Sequence, residues 1–407
     1  ARTQTSHAHR ARPAVLAGAA LWPEGDLMRI GLVTGEYPPM QGGVGAYTAI
    51  LARELTQIGH EIALFSTRTA RSDMIPLTQP FDGWGIRSLP AVKQWASDYH
   101  LDLINLQFQT AAFAMSPWIH VLPDYMRGVP VATTFHDLRF PYLFPKAGPL
   151  REAIVMHLAR ASSGLIVTNH EDEMRIRHLP YHRLIPIGSN ILETLPDDFD
   201  PTPWRSQAGA NEGDFLLAYF GLINRSKGIE TLLESMAALR TEKISVRLLL
   251  IGGVAGTSDP TNVAYAAEID QRIDSLELRP FVHQTGYLAD EREVGSYLRA
   301  SDAIVLPFQD GASFRRGSLM AAIHYACAIV TTLPRVHVPE FVHTDNMLLV
   351  APDDPDVLQH SLRLLHQSTV LRDQLRRGAS QLAARFDWKQ IAQDYVDFFE
   401  QIVEGRA

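Results

Sequence analysis

Three loops in this 407-residue chain place glycines, cations or an acid directly before an apolar stretch of helical period. Such a composition suits the holding of a phosphate group. In the first loop, an apolar run at 30–33 predicts a buried strand and breaks into Gly35, Glu36, two prolines, Gly42, Gly43 and Gly45. Tyr47, Ile50, Leu51, Leu55 and Ile58 then recur at helical spacing, Gly59 stands where a left-handed C-cap belongs, and 61–67 predicts the next strand. Glycines that let a backbone approach closely, just ahead of a helix N-terminus, make a site for an anion such as a diphosphate. They would serve a tight turn with no ligand equally well. The second loop follows a strand ending at Gly221 and carries Arg225 and Lys227 before a helix with Ile229, Leu232, Leu233 and Met236 on one face. Cations at the mouth of a sheet suit a diphosphate whose leaving-group charge must be stabilised; the alternative is a solvated loop. In the third, Arg315, Arg316, Gly317 and Ser318 precede an apolar helix starting near Leu319. Helix amides and two guanidiniums again favour a diphosphate, with a solvated turn as the alternative.

These loops need a scaffold, and the chain supplies one of alternating strand and helix signals, which implies an α/β fold with doubly wound parallel sheets. After the first two strands, further ones are predicted at 101–106, 129–134, 165–168 and 184–187. A second series falls at 215–220, 247–251, 282–286, 303–308, 328–332 and 347–350, followed by helical stretches near 357–377 and 388–403. Between the series, DDFDPTPW (197–204) is acidic, punctuated by proline and aperiodic, and reads as a linker. Ligands of such sheets bind beyond the carboxyl ends of the strands. Those ends carry Gly35 and Glu36, Gln107, His136 and Asp137, and Asn169, a more polar set than turns alone require. A lone histidine is ordinarily packed or solvent-facing, and Asp137 suits a cap as well as a ligand. The clusters Asp197, Asp198, Asp200 and Asp353, Asp354, Asp356 sit beside proline, where aspartate caps turns and helices, so no metal is expected.

Length predicts two domains. Apolar content of 46% with 20% charged residues is that of an ordinary globular protein, and a net charge of −8 argues against a nucleic-acid footprint. The single cysteine, Cys327, excludes an internal disulfide and suits a reducing cytoplasm. No apolar run reaches membrane-spanning length. Arg2, Arg10 and Arg12 before the apolar 14–22 superficially mimic a signal peptide, but a strand follows almost at once at Met28. Residues 1–27 are therefore expected to be a disordered extension, or translated sequence ahead of a start at Met28.

The string YPP…GGVG, helix, GHE resembles the opening of retaining glycosyltransferase family 4. That resemblance extends over nearly all of 28–403 and implies the GT-B fold, two Rossmann-like domains facing a cleft. It divides the chain into a 28–200 acceptor domain, a 205–385 nucleotide-sugar domain and a 386–407 helix crossing back to the first. The 220–236 stretch resembles the family's GR…KG motif, whose arginine and lysine grip the donor diphosphate; Lys227 and Gly228 match, while Leu222 takes the arginine position. Arg225 is the candidate replacement. In the family a histidine at the strand end of TTFHDL points into the cleft, which makes His136 catalytic together with Lys227. Two glutamates seven residues apart normally read donor sugar and ribose. Aligning on 326–332 puts Ser313 and Ala321 there, and a shift of three pairs Asp310 with Ser318. The loops' own chemistry and the resemblance together assign donor binding to Gly43, Arg225, Lys227, Ser313, Arg315, Arg316, Gly317 and Ser318. Acceptor binding falls to Glu36, Gly42, Gly45 and Gln107. The activity implied is cytoplasmic, metal-independent sugar transfer with retention, from a nucleotide-diphosphate sugar to a saccharide or lipid-linked acceptor. No cofactor and no nucleic acid is implied, and peripheral contact with a membrane surface is left open. The missing carboxylates favour an alternative, a degenerate GT-B protein that binds nucleotide or glycan without turnover.

Overall fold

Runs rich in valine, isoleucine and leucine, buried on both faces, form the two parallel sheets of the computed structural model, which describes residues 27–40, 42–138, 148–253 and 260–405. The extension expected at 1–27 lies outside the described residues apart from Leu27. The first sheet comprises β1 (Arg29–Thr34), β2 (Glu61–Phe65), β3 (Leu77–Thr78), β4 (Leu103–Phe108), β5 (Val131–Phe135), β6 (Gly164–Val167) and β7 (His182–Leu184). The second comprises β8 (Phe215–Phe220), β9 (Val246–Ile251), β10 (Val282–Gly286), β11 (Ala303–Leu306), β12 (Ile329–Thr332) and β13 (Leu348–Val350). Their orders are β3-β2-β1-β4-β5-β6-β7 and β10-β9-β8-β11-β12-β13. Both therefore reverse direction of winding at one place, between β1 and β4 and between β8 and β11.

One face of the first sheet packs Ile30, Leu32, Leu103, Ala132 and Ile166 with the helix Gly43–Gln57 and the terminal helix Trp388–Val403. The terminal helix buries Trp388, Ile391, Ala392, Tyr395, Val396, Phe398, Phe399 and Ile402, a stripe of helical period, and Asp387 caps it by accepting from the Lys389 and Gln390 amides. The last segment of the chain is thus built into the first sheet. A separate core fills the second sheet and its helices. The stretch expected as one helix near 357–377 is two, Pro355–Gln367 and Thr369–Ala383, because Ser368 leaves the helical conformation and its side chain caps the second from the Leu371 amide. Among the described residues no helix is long and apolar enough to cross a membrane.

Candidate functional site

The two winding reversals face each other. The loops after β1, β4 and β5 meet the loop before the helix Gly317–His324 and the start of the terminal helix around a cavity of about 430 Å³. Crevices beyond the carboxyl ends of strands at a topological switch point are where doubly wound sheets take ligands.

On the first-sheet side the glycine loop is already neutralised. A Cβ on Gly42 would collide with the Glu36 carboxylate, and the Gly45 amide donates to that carboxylate. Glu36 therefore sits where the start of helix Gly43–Gln57 would hold an anion, which corrects the expectation of a diphosphate there. Burial nonetheless pushes its pKa up, with the Gly45 N–H opposing. Gly45 packs against the Tyr37 backbone, whereas Gly43 opens on empty space and lines the cavity.

On the second-sheet side Lys227 and Arg316 lie over the same Phe308 ring, 5.1 and 4.7 Å from its centroid. Burial, and then the neighbouring Arg316, pull the Lys227 pKa down to about 8. Arg316 pairs with Asp310. Lys227 reaches this place because Gly228 turns the chain with φ 66, and a Cβ at Gly228 would run into the Pro307 carbonyl. Ser318, in the first turn of helix Gly317–His324, holds a buried hydroxyl with no hydrogen-bond partner among the described residues. That hydroxyl lies just below Gly221, with Oγ 3.9 Å from where a Cβ would stand. Two cations over Phe308 and, from the next turn of the same loop, a buried hydroxyl at a helix N-terminus beside Gly221 suit an anion with several oxygens.

Other expected residues are placed elsewhere. Arg225 pairs with Glu268 at 2.5 Å and stacks on Tyr265, mostly exposed, so it does not replace the missing arginine. Leu222 stays exposed, its carbonyl accepting from the Tyr219 hydroxyl at 3.1 Å. Arg315 lines the cavity but reaches across it to Glu171 at 2.5 Å and Asp137 at 3.4 Å, tying the two sheets' loops together. Ser313 lines a small crevice with Asn169 and His170. Ala321 is wholly buried in the second core, where a carboxylate would have no water. Asn169 is a helix cap, accepting from the Asp172 amide. Among the described residues no group of His, Cys, Asp and Glu is disposed to hold a metal ion; Asp354 caps a helix and Asp200 accepts from the Thr202 amide.

His136 lines the cavity at the end of β5, and burial pulls its pKa down to about 3, so the ring is neutral. Gln107, expected on the acceptor, is fully buried beneath it and hydrogen-bonds His136 Nε2 at 2.7 Å. A wholly buried amide has no access to a ligand; it joins the histidine to Asn105 and Tyr395 beneath.

Several cavity residues escaped the sequence reading, Tyr47, Trp388 and Asn190 among them. Tyr47 and Trp388 had been absorbed into apolar stripes, and Asn190 lies in an aperiodic stretch. The signal for the aromatics is their polar atom: Tyr47 donates to the Tyr395 hydroxyl at 2.9 Å, and the Trp388 indole N–H donates to the Ser189 carbonyl at 2.6 Å.

Comparison with known proteins agrees with this architecture. Residues 41–190 match the family model described as Glycosyltransferase Family 4, and residues 214–368 the one described as Glycosyl transferases group 1. The D-inositol 3-phosphate glycosyltransferase of Jonesia denitrificans is 24% identical over 405 residues, 88% of this chain and 91% of that protein. The alpha-monoglucosyldiacylglycerol synthase of Streptococcus pneumoniae is 23% identical over 310 residues, 68% of this chain and 65% of that protein. Sucrose-phosphate synthase from Thermosynechococcus elongatus superposes with a TM-score of 0.73 at 19% identity, covering 93% of this chain and all (100%) of that one. Anabaena HepE in complex with UDP gives 0.73 at 18% identity over 91% of this chain and 99% of that one.

Proposed function

The chain belongs to glycosyltransferase family 4 and has the GT-B fold, and from that premise we propose that it moves a sugar from a nucleoside-diphosphate sugar to a hydroxyl of a saccharide or lipid-linked acceptor, with retention of anomeric configuration. The observation that carries the reading is the convergence of Lys227 and Arg316 over Phe308, beside the Arg315–Gly317 segment that lines the cavity and the buried Ser318 hydroxyl that follows it. The donor diphosphate sits there, with its charge met by the two cations and the amides of helix Gly317–His324. Its sugar extends toward His136, and the acceptor enters past Gly43 and Glu36. The leaving nucleoside diphosphate departs as the acceptor oxygen attacks from the same side and gives its proton to the departing phosphate oxygen, so no protein nucleophile is required. Solved neighbours hold UDP and UDP-glucose, which supports a UDP-sugar donor. One named relative is an alpha-monoglucosyldiacylglycerol synthase, which supports a lipid-linked acceptor, and the other glycosylates an inositol phosphate, a soluble polyol. No resident cofactor or metal enters this scheme, and the reaction is assigned to the cytoplasmic side, free or at a membrane surface.

Release of free nucleoside diphosphate from UDP-, GDP- and ADP-sugars in the presence of candidate acceptors tests the reading. The absence of acids at Ser313 and Ala321 favours a second one, binding without turnover. Tight binding of a nucleotide sugar with no diphosphate release under any acceptor would establish that alternative.

The same absence sets a specificity. A buried carboxylate on the ribose would penalise an analogue lacking the hydroxyl by about 1–3 kcal/mol, since the acid would be left unpaired. With Ala321 in the core, kcat/KM for the donor and its 2′-deoxy form should differ by less than about tenfold. Donor affinity should instead weaken with rising salt and with Arg316→Ala. Strong rejection of the deoxy donor alongside an unaffected Arg316→Ala enzyme would show that another acid reads the ribose.

A further inference from the structure

A backbone carbonyl determines the protonation of the cavity histidine through two buried amides. The Ala132 carbonyl has no hydrogen to give, so the atom of Asn105 facing it at 3.1 Å is Nδ2. Asn105 Oδ1 then points the other way and accepts from Gln107 Nε2, with the Thr134 hydroxyl a longer second donor at 3.4 Å. Gln107 is thereby oriented with Oε1 toward His136, 2.7 Å from its Nε2. An amide oxygen only accepts, so the hydrogen of this contact belongs to Nε2. The arrangement is locked from the far side as well. Asn105 Nδ2 also donates to Thr134 Oγ1 at 3.0 Å, that hydroxyl meets Tyr395 at 3.1 Å, and Tyr47 donates to Tyr395. Asn105, Gln107 and Thr134 are fully buried, so water offers no alternative partner.

We propose that Gln107 is a positioning residue that fixes His136 as its Nε2–H tautomer, leaving Nδ1 as the acceptor that the ring presents to a sugar hydroxyl in the cavity. No described residue hydrogen-bonds Nδ1. His136 therefore takes a hydrogen bond from a hydroxyl rather than giving one, and it selects a substrate with a free hydroxyl at that point over an ether or deoxy analogue. The role in transfer rests on the proposed activity; the tautomer itself does not. The titratable and charged groups around the ring are Tyr47 from helix Gly43–Gln57, Tyr395 from the terminal helix, Glu36 after β1, Asp137 beside it and Arg315 from the facing loop. Burial holds both tyrosines well above their ordinary pKa, and Arg315 pairs with Asp137, so neither pair alters the assignment at neutral pH.

The experiment is ¹⁵N–¹H correlation of the histidine rings in the full chain without substrate, with His136→Gln to assign the signals. The expected spectrum at pH 6 to 8 shows a protonated Nε2 and an unprotonated Nδ1. A protonated Nδ1, or a doubly protonated ring, would overturn the inference whatever the enzyme's substrate. Gln107→Leu should mix the tautomers and lower kcat/KM about tenfold or more. Gln107→Glu keeps an acceptor on Nε2–H but places a carboxylate beside it, so the His136 pKa should rise and the acid limb of the pH–rate profile should move toward neutrality. If Gln107→Leu does not fold, the wild-type spectrum and the Gln107→Glu profile decide. A folded Gln107→Leu protein with the wild-type tautomer would also overturn the role given to Gln107.

Discussion

Lys227→Ala is expected to lower sugar transfer on the identified donor by about a hundredfold or more, with the fold intact. Among the described residues Arg225, Arg315 and Arg316 each face a carboxylate, whereas the Lys227 ammonium has only the Phe308 ring. A half-buried ammonium next to Arg316 is a charge awaiting an anion, and a departing diphosphate supplies two or three negative charges at the moment they matter. The loss should fall mainly on kcat/KM. Folding should hardly suffer, because removing a desolvated cation beside another cation relieves repulsion. The pH dependence follows from the depressed pKa of about 8. In the free enzyme Lys227 loses its proton near that pH, so donor binding should weaken above it and should take up protons there, since the bound diphosphate restores the ammonium. The stability effect has the opposite sense. Between about 8 and the ordinary 10.5 the unfolded chain binds more protons than the folded one, so the ligand-free protein gains stability as pH rises through that window. Both slopes should vanish in Lys227→Ala. A near-normal rate in that variant would place the diphosphate elsewhere.

Much of the fold was legible because it rests on local patterns. Short, continuous apolar runs with intervening helices identified the strands except β3, whose two residues carry no period, and β7, expected at 184–187 but formed by His182–Leu184, and the terminal helix was bounded at Trp388 and Val403 because Asp387 caps it. Its neighbour was misread as continuous because Ser368 looks like any polar residue on a helix surface until its side chain turns back on Leu371. In the site, loops were visible and partners were not. Glycines and cations announce a phosphate loop by composition, but nothing local says that Glu36 already fills the first one. Arg315 reads as a donor ligand until its contacts, 178 and 144 residues away at Asp137 and Glu171, are in view. Gln107 reads as a strand-end ligand because, in a strand buried on both faces, alternation does not tell whether a polar side chain near the carboxyl end points into the cleft or under the next strand. Only the β4–β5 register, which sets Gln107 beside Thr134, brings it under His136.

Trp388→Ala is expected to cost about 3–5 kcal/mol, the range for deleting a large buried aromatic. The side chain is only 6% exposed, its ring stands 5.0 Å from Tyr47, and a Cβ on Gly188 would collide with it, so the surrounding wall is built to its shape. The Ser189 carbonyl would lose its indole donor at the same time. The indole is also the first residue of the helix that closes one face of the first sheet, and Tyr395, one stripe further along, anchors the Thr134–Asn105–Gln107 chain. Loosening that helix should therefore be felt at His136 as well as in the melt. Thermal unfolding should show a midpoint lowered by roughly ten degrees, and amide exchange should accelerate across Trp388–Val403 before it does in the second sheet. Trp388→Phe separates the contributions: it keeps most of the ring packing and gives up the hydrogen bond, which should cost about 1 kcal/mol. A Trp388→Ala protein melting within a degree of wild type, with unchanged exchange in its last helix, would mean that Phe398, Phe399 and Ile402 hold that helix to the sheet without the indole.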